Sequence, residues 1–239
     1  MDAASSLHDR RFDLSADSCV FQLRRMAKRN FLHLLQTAVS DPSACRLAYV
    51  AIRRYHAVQR LWELTQLISR VRALNPVTIV EIGTHMGGTL HCWSRIMPAD
   101  GRLVSLDLPA DPNESRTTVP VLEKIVLGGT QKTTFIRDSS HFPQTRDKVV
   151  SALENRPVDF LFIDGDHSYV GVKMDFEMYR SLVRSGGLIA FHDIALNPDV
   201  PDYGVAKFWQ ELKNEYHTQE LIDPYPMGPT GMGIGLVWV

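Results

Sequence analysis

The chain has 239 residues, of which 44% are hydrophobic and 22% charged, with a formal net charge of -1. These proportions exclude a disordered chain and a membrane bundle, and the length suits one large domain, or one domain with an extension, better than two full domains. The near-neutral total gives no overall pull toward nucleic acid or an anionic membrane. It conceals a split, because residues 1–60 hold 10 basic and 5 acidic side chains while residues 61–239 hold 16 and 22. Cys19, Cys45 and Cys92 are far apart and in no C-x-x-C spacing, which argues against a disulfide framework or a thiolate zinc site. With no apolar targeting segment at the start and no run near the ~18 apolar residues of a spanning helix, a cytoplasmic chain without a membrane partner is expected.

Residues 1–16 are polar and expected to be loosely ordered, residues 17–75 read as a helical extension, and residues 76–239 as the main domain. In the extension Phe21, Leu23, Met26, Phe31, Leu32, Leu34 and Leu35 fit one helical face, Asp41-Pro42 starts a second helix reaching Tyr55, and a third spans residues 59–74 before Asn75-Pro76. Its basic residues Arg24, Arg25, Lys28, Arg29, Arg53 and Arg54 lie mostly between the apolar ones. A solvated helix face accounts for them, and an acidic partner or a contact between copies of the chain through these helices is the functional reading.

From residue 76 the pattern becomes strand, helix, strand. Strands are predicted at 77–83, 102–108, 133–138, 158–165 and 188–193, with helices at 87–97, 143–153, 169–183 and 205–216. Two last strands, 218–223 and 233–239, are joined without a helix. Alternation of this kind predicts an α/β fold, a Rossmann-like doubly wound seven-stranded sheet whose last strand is antiparallel, carrying the helical extension at its front. The near-continuous apolar run VDFLFIDG is what a parallel strand covered on both faces requires.

The first strand ends in Glu81-Ile82-Gly83-Thr84-His85-Met86-Gly87-Gly88, and the second ends in Asp107, 24 residues after Gly83. Glycines at such a turn let backbone approach a ligand, and a carboxylate at the next strand end can accept hydrogen bonds from ribose hydroxyls. The spacing G-x-x-x-G-G is not the G-x-G-x-x-G of pyrophosphate binding, so a dinucleotide is the weaker reading.

These residues resemble the class I S-adenosylmethionine-dependent methyltransferases over about residues 60–239. The resemblance implies S-adenosylmethionine as cofactor, with Gly83, Thr84 and Gly87 against its methionine part, Glu81 near the methionine ammonium, Asp107 on the ribose, and Asp138 and Ser139 by the adenine. The segments FLFIDGDHSYVGVKMDFEMY and SGGLIAFHDI are similar to the branch that holds small-molecule and sugar O-methyltransferases and cephalosporin hydroxylase-like proteins. That branch implies a divalent metal, magnesium or manganese, on Asp164 and Asp193. His192 takes the place of a third acidic or amide ligand, which favours manganese, iron or zinc over magnesium; Asp166 is an alternative ligand. Neighbouring parallel strands lie about 4.8 Å apart, so Asp164 and Asp193 at two strand ends can reach one cation. Plain structural roles stand beside these: Asp166 as a helix cap, His167 as a surface residue of the turn, His192 as an interior histidine bonded to a carbonyl.

The expected reaction is methyl transfer to a hydroxyl of a small molecule, a sugar or natural product. The enzyme aligns the acceptor and disposes of its proton, with the cation lowering the hydroxyl pKa and His167 as general base. Loops 109–119, 195–203 and 223–232 would set specificity. A cofactor-binding accessory subunit is the competing reading, followed by an NAD-dependent oxidoreductase; nucleic acid is not an expected partner, given the acidic body.

Overall fold

The computed structural model describes residues 36, 40–110, 117–127, 129, 131–196, 204–225 and 231–239. Apolar runs become strands and amphipathic stretches become helices in the order α1 (Pro42–Tyr55), α2 (Leu61–Ala73), β1 (Thr78–Ile82), α3 (Gly88–Ile96), β2 (Arg102–Asp107), α4 (Val119–Val126), β3 (Lys132–Arg137) and α5 (Pro143–Leu153). There follow β4 (Val158–Ile163), α6 (Tyr169–Tyr179), a 3-10 turn (Arg180–Leu182), β5 (Val183–His192), α7 (Val205–Glu215), β6 (His217–Leu221) and β7 (Ile234–Trp238). The strands form a seven-stranded sheet of order β3-β2-β1-β4-β5-β7-β6. Strands β3, β2, β1, β4 and β5 are parallel, and β7 runs antiparallel to both β5 and β6.

Successive strand residues point to opposite faces, so each face has its own core. On one side Phe160 and Phe162 of β4 meet Trp93 of α3, edge to face at 5.1 and 5.8 Å. On the other, Leu161, Ile163 and Phe191 pack with Phe176 of α6 and Phe208 and Trp209 of α7. The described part of the helical front joins the first core: Ala44, Ala48 and Ala51 of α1 and Leu64, Leu67, Ile68 and Val71 of α2 are buried in the cluster that contains Trp93 and Phe160. Asp41 starts α1 by accepting from Ala44 N at 3.0 Å and from Ser69 Oγ of α2 at 2.6 Å, which pins the two helices at one end.

Three expectations shift. The helix expected over 169–183 ends at Tyr179, and Ser185-Gly186-Gly187 runs inside β5, where the pairing with β4 slips between Val158 and Phe160. Gly186 takes up the irregularity with φ +72, a region L side chains rarely adopt. Helix α4 is additional, held by its inward residues Leu122 and Ile125. The helix expected around Phe21–Leu35 lies outside the described residues, as do most of the loop 109–119, part of 195–203 and part of 223–232.

The strand order reverses direction between β1 and β4, which leaves a crevice at their carboxyl ends. Gly83 makes that crevice possible: a Cβ there would lie 1.9 Å from the Asp164 carbonyl oxygen, and its φ is +87.

Candidate functional site

A cavity of about 700 Å³ opens over the carboxyl ends of β1, β2, β3, β4 and β5, within the range of small-molecule sites. On one side lies the glycine turn. Asp107 Oδ2 accepts from Thr84 N at 2.9 Å and His85 N at 2.7 Å, and its Oδ1 accepts from Leu108 N at 2.7 Å. The acid that ends β2 therefore fixes the shape of the turn after β1. Thr84 is buried, its hydroxyl 2.7 Å from that of Ser105. Ser105 is in turn held by Arg137 Nη2 at 2.9 Å. Asp138 and Ser139 line the far end of the cavity, with Asp138 Oδ2 accepting from Lys148 Nζ at 2.8 Å.

Two of the expected cofactor residues stand behind this lining. Glu81 is fully buried in β1, and Trp93 Nε1 donates to its Oε2. Burial pushes its carboxyl up to about 8, with the Trp93 hydrogen bond working against that rise. Glu81 therefore lies under the floor of the cavity, against Trp93 of α3. Gly87, φ +83, is also absent from the lining, and a Cβ on it would come within 2.7 Å of Leu122 Cδ2. Gly88 does line the cavity, and a Cβ there would lie 2.5 Å from Ala57. The last two glycines of the loop thus seat α4 and the segment between α1 and α2.

The chemical centre lies at the ends of β4 and β5. Asp164 follows β4, its backbone N–H donating to Ile82 O at 2.8 Å. Asp193 follows β5 in the left-handed region, φ +61, a strained conformation of the kind that collects at functional sites. Between the two carboxylates sits His192, its Nδ1 3.2 Å from Asp164 Oδ1 and 3.2 Å from Asp193 Oδ2. His167 approaches from the turn after β4, its Nε2 3.6 Å from Asp164 Oδ1 and 3.4 Å from Asp193 Oδ2. That turn is held by Gly204 N, which donates to the His167 carbonyl at 2.8 Å, and by Asp166 Oδ1, which accepts from Ser168 N at 2.8 Å. Ser168, not Asp166, caps α6, accepting from Gly171 N at 3.0 Å.

The electrostatics follow from this clustering. Burial opposes charge on His192, but Asp164 and Asp193 outweigh it and lift its pKa well above the ordinary imidazole value. Burial likewise opposes charge on His167, and Asp164 and Asp193 raise its pKa on balance. Burial would raise Asp164; the two imidazoles outweigh that and hold its carboxyl down at about 2. Ligand atoms of Asp164, His167 and Asp193 all lie within 4.8 Å of one another. Of the metal ligands expected from sequence, Asp164 and Asp193 are thus joined here by His167. His192, expected as the third ligand, lies 3.2 Å from both carboxylates, and its buried Nε2 has no hydrogen-bond partner among the described residues.

Sequence reasoning missed the contribution of the helical front. His56, Ala57, Val58 and Gln59, between α1 and α2, form one wall of the cavity. Glu63 of α2 is fully buried and accepts from Asp223 N at 2.9 Å and Gly233 N at 3.2 Å, gripping both ends of the connection between β6 and β7 that brings Gly231 and Met232 to the cavity. Only the break between two helical patterns at HAVQ signals these residues in the sequence.

The sheet order with an antiparallel β7, the glycine turn braced by the acid of the second strand and the cavity over the switch point define the class I methyltransferase fold. Comparison with known proteins agrees. A family model described as a methyltransferase domain matches residues 80–194. Caffeoyl-CoA O-methyltransferase 5 of Nicotiana tabacum is 26% identical over 176 residues, 70% of each protein. An uncharacterized protein, y4gI, of Sinorhizobium fredii is 27% identical over 194 residues, 79% of this chain, and the match covers only 20% of that longer protein. An O-methyltransferase of Bacillus cereus, solved with S-adenosylhomocysteine, shares the fold with a TM-score of 0.56 at 19% identity, over 83% of this chain and 90% of its own. Residues 80–194 carry a methyltransferase domain, the chain resembles caffeoyl-CoA O-methyltransferases along most of its length, and it shares the fold of O-methyltransferases that bind S-adenosylmethionine. No helix among the described residues is long and apolar enough to cross a membrane.

Proposed function

We propose that the protein transfers a methyl group from S-adenosylmethionine to a hydroxyl of a small molecule, a sugar or natural product, with a divalent cation held by Asp164, Asp193 and His167. The observation that carries this reading is the meeting of two carboxylates and an imidazole at the edge of the cavity, beside the glycine turn. The donor set fits a cation: two hard oxygens and one nitrogen suit manganese, iron or zinc better than magnesium. Two buried carboxylates that, among the described residues, meet imidazoles are a site that a divalent ion can take over.

S-adenosylmethionine supplies a methyl already activated on a sulfonium, and a cation in this position lowers the pKa of the acceptor hydroxyl. What the chain must do is align and deprotonate. Gly83 and Thr84 present the turn to the methionine part, Asp107 holds that turn and takes the ribose, and Asp138 and Ser139 border the adenine end. Of the two imidazoles, His167 serves as ligand and His192 takes the hydroxyl proton. The carboxylates raise the pKa of His192, and engaging them elsewhere would lower it toward that of a base. The sequence suggested the opposite division, with His167 as base and His192 as ligand.

The test is transfer of labelled methyl from S-adenosylmethionine to a panel of phenols and sugars, before and after dialysis against chelator, with manganese or magnesium restored. Product that disappears with chelator and returns with the ion supports the reading. Activity indifferent to chelator removes the cation, and methyl transfer to nitrogen or carbon acceptors alone removes the oxygen acceptor.

Buried free thiols at Cys45 and Cys92 accord with a cytoplasmic protein, and we propose that location. The basic helical front is proposed as the contact between two copies, which light scattering of the purified chain would read as a dimeric mass.

A further inference from the structure

Gln59 reaches the carboxylate cluster from the segment between α1 and α2, far in sequence from the strand ends that carry the other members. It is 5% exposed, lines the cavity, and its Nε2 donates to Asp164 Oδ2 at 2.7 Å. The orientation of the amide follows from chemistry, since an ionised carboxylate only accepts. The two oxygens of Asp164 are thereby given separate tasks. Oδ2 faces Gln59, while Oδ1 faces His192 Nδ1 at 3.2 Å and His167 Nε2 at 3.6 Å.

The position of Gln59 is built. His56, φ +55, ends α1 in the left-handed region, and Ala57 N donates back to Ala51 O at 3.1 Å. Ala57 then rests on Gly88, where any side chain would collide with it. Leu64 N donates to Arg60 O at 2.9 Å as α2 begins. Gln59 Oε1 is buried with no hydrogen-bond partner among the described residues. Native structures rarely leave such an atom without a reason, and Gln59 lines the cavity.

We infer that Gln59 is a positioning residue for the divalent cation: by occupying Oδ2 of Asp164 it leaves Oδ1 to face Asp193 and His167, so Asp164 binds the ion through one oxygen. The inference rests on the cation-assisted reading above. It also makes the helical front part of the metal site.

The test is Mn²⁺ binding to the full chain, followed by the electron paramagnetic resonance of free and bound ion, for wild type, Gln59→Leu and Gln59→Met. The methionine variant keeps volume and flexibility if leucine does not fold, and thermal melts establish the fold of each. Outer partners of metal ligands typically matter by 10- to 100-fold in affinity, and a weakening of about that size is expected. The spectrum of the bound ion should change as well, while S-adenosylhomocysteine affinity moves far less. A variant that binds Mn²⁺ as wild type does overturns the role of Gln59 and leaves the cation reading standing. Equal losses of Mn²⁺ and S-adenosylhomocysteine affinity would mean a loosened cavity wall and also overturn it. A wild-type chain that binds no Mn²⁺ removes the cation reading and this role together.

Discussion

At the scale of single residues, charge balance decides what the site can do. Four ionisable side chains, Asp164, His167, His192 and Asp193, meet within hydrogen-bonding or near-contact distance. His167 is the most accessible of them, with 34% of its side chain exposed, so its removal disturbs the fold least. His167→Ala is expected to lower turnover by about 100-fold or more, with S-adenosylhomocysteine affinity retained. Turnover and calorimetric affinity measured on one preparation check this, and unchanged turnover would sink the assignment. Glu81 offers a prediction of a different kind. Unfolded, a glutamate carboxyl ionises near about 4.3; folded, this one holds its proton up to about 8. Between those values the folded state binds the extra proton, so stability falls as pH rises. Glu81→Gln removes that contribution. Urea melts from about pH 5 to 8 should show a wild-type loss larger than the variant's by a few kcal/mol, as an order of magnitude. Parallel slopes for the two proteins would contradict it.

At the scale of elements, turns and strand ends place these residues. β1 and β4 end side by side because Gly83 allows backbone to touch backbone. Gly83→Ala combines a left-handed φ with a collision against main chain that has no flexible end to move. A loss of at least about 2 kcal/mol is expected, together with weakened cofactor binding; a variant with wild-type melting and affinity would show that the two strand ends can part. The strands were legible because apolar runs such as VDFLFI and LIAFH end in Asp or Gly where the sheet meets solvent. Helix α4 was not, since eight residues with only Leu122 and Ile125 buried leave little periodicity to read. The limits of α6 and β5 were blurred for a related reason. Gly186 and Gly187 look like a turn in sequence, yet β7 pairs alongside them, Gly186 N donating to Val239 O at 2.7 Å. Asp164, Asp193 and His192 could be found because they end strands. Gln59 and Glu63 could not, because their partners lie 105 and 160 residues away and no local pattern announces them.

At the scale of the whole molecule, the charge split of the sequence takes on a spatial meaning. The acidic body carries Asp107, Asp138, Asp164 and Asp193 at the strand ends around one cavity. The basic front contributes helices that share the hydrophobic core of the sheet and a segment that walls the same cavity. Two regions that composition separates are therefore one structural unit at the site. The fold places the glycine turn, the second-strand acid and the carboxylate cluster around a single space, where S-adenosylmethionine is expected to lie. Calorimetric titration with S-adenosylhomocysteine tests this most directly, on wild type and on Asp107→Ala. Saturable binding by wild type is expected, unaffected by NAD, with at least about tenfold weaker binding by the variant, which loses charge-assisted hydrogen bonds. No binding by wild type, or equal binding by the two proteins, would contradict it.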